Sequence, residues 1–133
     1  MAVDYYIQLA GNPDPNSETQ MEVFDSDGNT KLCQRYNSKH PAGISLAAAS
    51  YTNGNIITCG GYRHIFGVGG TNQCYKFEKG KGWSKLGHLK PKNSYRYIAS
   101  IPIDGGIIVI GGWDGWKTLK SSQIVLSDGS AIK

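Results

Sequence analysis

No run of about 18 apolar residues occurs in this 133-residue sequence, which excludes a membrane-spanning helix. The opening residues, Met1-Ala2-Val3-Asp4-Tyr5-Tyr6, show no basic region followed by an apolar core, so no signal peptide is expected. Apolar residues spaced by three and four are never sustained over three turns, so no helix is needed anywhere. Charged residues are scarce at 18%, and the net charge of +4 is spread thinly. The densest basic stretch, Lys79, Lys81, Lys85, Lys90 and Lys92, reads as a solvated edge, and no nucleic-acid partner is expected. Three cysteines leave one unpaired even if two are bridged. No Cys-x-x-Cys or His-x-x-x-His accompanies them. The even spacing of His40, His64 and His88 therefore reads as coincidence, and no metal site or cofactor is expected. No Gly-x-Ser-x-Gly surrounds a serine, and no catalytic residue stands out.

Glycine, by contrast, is abundant at 18 residues, about twice its usual share. Its placement is periodic. Gly60-Gly61 recurs as Gly111-Gly112, 51 residues later, and each pair closes an apolar run, Ile56-Ile57-Thr58-Cys59 or Ile107-Ile108-Val109-Ile110. At the same offset, Ala48 to Tyr51 before Asn53-Gly54 matches Ala99 to Pro102 before Asp104-Gly105. Two apolar stretches around Asn-Gly or Asp-Gly are the strongest short-range signal of a β-hairpin. Third-strand candidates come three times, at Met21–Phe24, Gln73–Phe77 and Gln123–Leu126. Trp83–Leu86 reads as a fourth strand, with Lys31–Cys33 its weaker counterpart. Tyr5–Gly11 reads as a second strand ending on a single glycine.

A period near 50 with strands running into glycine doublets predicts an all-β protein built from blades of four antiparallel strands. The residues resemble a kelch repeat: the doublet, an aromatic in the next strand (Tyr75), a tryptophan (Trp83), then Leu86. Cys59-Gly60-Gly61 followed by Cys74-Tyr75 is most similar to the cysteine-containing kelch proteins of invertebrates. The resemblance implies kelch-type β-propeller blades, about two and a half of them, in an incomplete ring. Residues 1–36 would form an incomplete blade, 37–89 a complete one and 90–133 another incomplete one. The first departs from the pattern at Gly11 and Leu32, and the third stops before its tryptophan.

Gly60, Gly61, Gly111 and Gly112 are assigned to backbone geometry at the ends of inner strands. Tyr75 and Trp83 are assigned to packing between blades. Cys59 and Cys74 fall on neighbouring strands, where either a cross-strand disulfide or two buried thiols would fit. The family resemblance implies the disulfide; Cys33 has no evident partner. A bridged pair favours an extracellular location, and free thiols a cytoplasmic one. The glycines of Gly67-Val68-Gly69-Gly70 read as a loop between strands, since no helix follows to make a phosphate cradle.

Loops at one end of a propeller commonly carry its binding residues. Tyr62, Arg63 and His64 follow one doublet; Trp113, Asp114 and Trp116 follow the other. These six are the binding candidates, although the indoles would equally serve to cover the blade edge. The resemblance implies a non-catalytic module that binds a protein partner. A carbohydrate-binding propeller is the alternative, as is a fragment of a copper radical oxidase-like kelch enzyme, for which no residue matches a ligand motif. Closed propellers need four to eight blades, so the chain is expected to be a fragment of a longer propeller, to self-associate, or to stand as an open stack.

Overall fold

Asn53-Gly54 and Asp104-Gly105 turn the chain back on itself and so set the register of the two best-formed sheets. In a computed structural model of the protein, which describes residues 5–10, 20–25, 40, 44–45, 47–63, 70–90 and 96–132, Asn53 and Gly54 have φ of 45° and 80°. Two successive positive φ values match the right-handed twist of flanking strands. The described residues contain no helix.

The first unit is the pair β1 (Tyr5–Ala10) and β2 (Gln20–Asp25), antiparallel from Tyr5↔Asp25 to Ala10↔Gln20. Next come β3 (Ile44–Ser45), β4 (Ala48–Thr52), β5 (Asn55–Cys59), β6 (Tyr62–Arg63), β7 (Gln73–Glu78) and β8 (Gly82–His88). Strands β4-β5-β7-β8 make a four-stranded antiparallel sheet, the second unit, and β3 pairs separately with β6. The third unit has β9 (Ala99–Ile103), β10 (Gly106–Ile110), β11 (Ser122–Leu126) and β12 (Ala131–Ile132), again antiparallel in sequence order. Strand β12 is a fourth strand where the sequence pattern stops at three. With two residues it is too short to show an alternation. The proposed counterpart strand at Lys31–Cys33, and Gly11, lie outside the described residues.

Side chains alternate across each sheet, and the alternation separates two faces. From the second unit, Ala48, Ile57, Cys59 and Cys74 meet Ile107, Val109 and Val125 of the third, with Leu89 and Ile98 from the connecting segment. This is the main core, and it lies on the seam between units. A bulge where Cys74 faces Gly87 but Tyr75 faces Lys85 adds Leu86 to the edge of that core.

Hydrogen bonds across the seam join residues about one repeat apart in the sequence. Ser100 Oγ donates to Ala49 O (3.1 Å), which leaves Ser50 Oγ to donate to Ser100 Oγ (2.7 Å). Thr52 Oγ1 donates to Ile103 O (2.7 Å), Asn53 Nδ2 to Asp104 Oδ1 (2.9 Å), and Lys76 Nζ to Ser127 O (3.2 Å). These partners are 50 or 51 residues apart, so the sequence period is also the spatial step from unit to unit.

Cys59 and Cys74 are bridged, with Cα atoms 4.1 Å apart, and both are fully buried in the seam. The bond is compatible with an extracellular, oxidising setting. Among the described residues no helix is long and apolar enough to cross a membrane.

On the opposite side of the second unit, Thr58, Tyr75 and Phe77 are buried. The His40 ring stands edge-on to Tyr75 (4.9 Å) and Trp83 (4.4 Å), and its Nε2 is 3.0 Å from Thr58 Oγ1. Tyr75 and Trp83 therefore pack in an aromatic group on the side away from the third unit. The outward face of the third unit is built differently. Ile101, Ile108 and Ile124 lie in one cross-strand row, flanked by Ile103, Ile110 and Leu126. Ile101 is 50% exposed and Ile110 38%. The equivalent positions of the second unit hold Ser50, Ile57, Lys76, Thr52, Cys59 and Glu78, a far more polar set.

Candidate binding site

A meander places its connections alternately at two ends. The tight turns at 53–54, 79–81, 104–105 and 127–130 share one end, and the longer connections at 60–72, 89–98 and 111–121 share the other. Of the six binding candidates, Tyr62, Arg63, Trp113, Asp114 and Trp116 belong to the long-loop end.

Each doublet is followed by an aromatic whose backbone pairs with the segment leading into the unit's first strand. Tyr62 pairs with Ser45 and also bridges to Gly70; Trp113 pairs with Arg96 and also bridges to Thr118. Tyr62 and Trp113 are 51 residues apart, and so are Ser45 and Arg96, so the two constellations are copies. The Arg96 and Trp113 backbones exchange two hydrogen bonds, of 3.0 and 2.9 Å.

This pairing puts Arg96 on the seam. Its guanidinium carbon is 4.3 Å from the Tyr62 ring centroid and 5.2 Å from that of Trp113. Stacking on two aromatic faces contributes on the order of 1–2 kcal/mol. Arg96 Nε is buried without a hydrogen-bond partner among the described residues, and an orphan donor of this kind costs about 1–3 kcal/mol. The next residue, Tyr97, has φ of +54° and is 65% exposed. A left-handed tyrosine is strained, and such strain gathers at ligand-contact sites.

The 111–121 connection is held by Gly111 N–H to Ser121 O (2.9 Å) and Leu119 N–H to Gly112 O (2.8 Å). At its tip Asp114 Oδ1 accepts from Lys117 N (2.9 Å) and Trp116 N (3.0 Å). These backbone donors, Lys117 first and then Trp116, hold the Asp114 carboxyl below its ordinary value of 3.8. A lowered value means that the carboxylate's grip on the turn is complete above pH 3.8 and is lost as pH falls through the lower one. Asp114 thus shapes the turn, and Trp116, 93% exposed, projects from it.

Of the candidates read from sequence, Tyr62 and Trp113 come together, Trp116 and Asp114 share the adjoining turn, and Arg63 lies on β6 opposite Ile44. His64 and Gly67–Gly69 lie outside the described residues. Gly60, Gly61, Gly111 and Gly112 all have positive φ, as a backbone role requires. Arg96 escaped the sequence reading; the signal for it was its place one period after Ser45, opposite a repeated aromatic. Among the described residues no group of three His, Cys, Asp or Glu side chains is placed to hold a metal ion.

Charge is unevenly shared between the ends. The described side chains of the long-loop end include Lys90, Arg96, Lys117 and Lys120 against one carboxylate, Asp114. At the tight-turn end Glu78, Asp104 and Asp128 balance Lys76, Lys79 and Lys81, and Glu78 pairs with Lys76 and Lys81 at 3.5 and 3.8 Å.

No known protein family and no curated protein matches the chain. Among solved structures it is similar to that of YjhT, with a TM-score of 0.59 and 19% identity over 84% of this chain and 35% of that one. The likeness is one of fold. The chain spans about a third of the length of YjhT.

Proposed function

We infer that the protein is a non-catalytic, kelch-like binding module whose long-loop end docks a protein partner. The observation that carries this reading is Trp116, an indole held almost wholly in solvent by a hydrogen-bonded turn beside the Tyr62–Arg96–Trp113 stack. Exposed tryptophan and arginine on a rigid support are the usual anchors of protein interfaces. Trp116→Ala is expected to change stability by no more than about 0.5 kcal/mol, because an exposed side chain contributes little to folding. Binding of a partner isolated with the parent protein should fall at least roughly tenfold. A variant that melts several degrees lower would return Trp116 to a structural role. Selective capture on a glycan array, lost in the same variant, would favour the carbohydrate alternative.

The same reading includes self-association. The isoleucine-rich outer face of the third unit meets the opposite side of a second copy, continuing the register already formed between the second and third units. Ile101→Lys places a charge in the centre of that face and is expected to lower the light-scattering mass to that of one 14.4 kDa chain. A parent protein that is monomeric at every concentration and melts in one sharp transition would refute this part.

A further inference from the structure

The geometry points to a carboxylate-bearing peptide as the ligand of the Arg96 stack. This rests on the long-loop end being a protein-binding surface and names the chemistry that the surface selects. The guanidinium carbon lies over both the Tyr62 and the Trp113 rings, so aromatic side chains already occupy part of its surroundings. Donors in a guanidinium radiate in its plane, so a ligand must arrive edge-on. Nε is buried, and the Nη groups of the half-buried side chain are the donors that remain to an incoming acceptor. A planar, two-oxygen acceptor meeting two parallel N–H groups is the fork-to-fork pair of arginine with carboxylate.

Three features around the stack fit a peptide that carries this group. Trp116 and Tyr97 offer amphipathic rings for the flanking residues of an extended segment. Lys90, Lys117 and Lys120 give the end an excess of positive charge, which steers acidic segments toward it. The ladder between Arg96 and Trp113 fixes the stack before any ligand arrives, so little ordering is left for binding to supply.

Short random peptides displayed on phage and selected on the full-length chain provide the probe. Selected sequences are then synthesised in pairs, with Asp and Glu or with Asn and Gln, and read by fluorescence anisotropy. Enrichment in Asp and Glu is expected, with affinity falling at least roughly tenfold in the amide forms. Arg96→Lys keeps the charge and most of the stem but loses the fork, and should lose most of that acid–amide difference; Arg96→Ala should abolish it. Peptides that need Trp116 but bind equally as acid and amide, and equally to Arg96→Lys, would overturn the inference and leave the binding-surface reading standing. Competition by inorganic phosphate but not by glutarate would overturn it in favour of a phosphoryl ligand. If no peptide bound by the parent protein is weakened by Trp116→Ala, the reading beneath it fails as well.

Discussion

Reduction of the Cys59–Cys74 disulfide is expected to remove about 3 kcal/mol of stability, the chain-entropy value for a closed loop of roughly 15 residues. The bridge joins β5 to β7 where both strands press on the third unit, and both cysteines are fully buried. It constrains the long connection from Gly60 to Asn72, which is tied at its ends by Gly60 N–H to Gln73 O and Thr71 N–H to Gly61 O and pairs with β3 through Tyr62 and Arg63. The third unit has Ile110 and Ser122 at the equivalent positions with three fewer residues between them, so it meets the same need with a tighter turn. Urea unfolding with and without reductant measures the difference directly. The double variant Cys59→Ala/Cys74→Ala should lose at least as much, because it also removes two buried sulfur atoms from a packed core. Equal midpoints for oxidised and reduced protein would show that the bond does not hold the seam.

Gly112→Ala is expected to destabilise by about 2–4 kcal/mol, combining left-handed strain with overpacking against rigid backbone. Gly112 has φ of +106°, and a Cβ there would lie 2.8 Å from Arg96 O and 3.2 Å from Ile98 Cγ2. Arg96 O cannot yield freely, since it accepts the Trp113 N–H in the ladder that positions the stack. Gly105→Ala is the matched control. It has positive φ as well, +72°, but open space around the new methyl, so only the conformational part, about 1 kcal/mol, is expected. Thermal melts of the two variants separate sterics from strain, and similar losses would mean that the close approach at Gly112 relaxes easily. Because the displaced carbonyl belongs to Arg96, Gly112→Ala should also weaken the partner, whereas Gly105→Ala, at the opposite end, should not.

The strands were legible because each kind of signal repeats. Ile56–Cys59 and Ile107–Ile110 are apolar runs of strand length that end on glycine doublets, and Asn53-Gly54 fixes a hairpin by backbone conformation alone. β3, β6 and β12 were not legible. At two residues each they are held by pairing with neighbours rather than by any periodicity of their own. The disulfide was half legible: spacing put Cys59 opposite Cys74 but left bond and thiols equally open, and the kelch resemblance favoured the bond that the structure contains. Arg96 was invisible as a site residue because its partners, Tyr62 and Trp113, come from two successive repeats. His40 carried only a misleading spacing with His64 and His88. Its packing against Tyr75, Trp83 and Thr58 depends on contacts made across 18 or more residues.

The coincidence of sequence period and spatial step has a kinetic consequence. Within a unit, hairpins close over spans as short as that from Thr52 to Asn55, so their pairing costs little loop entropy. Five hydrogen bonds of the seam, by contrast, close over 50 or 51 residues, which adds about 2 kcal/mol of closure entropy before the shared core offsets it. The sheets are therefore expected to pair within each unit first and to dock afterwards, which hydrogen-exchange labelling during refolding would test. Tyr62 belongs to one unit, and Trp113 with its paired Arg96 to the next, so the arginine stack does not exist until that last step is complete. Ligand capture at this site would then report docking of the units, and a ligand bound there would slow their separation.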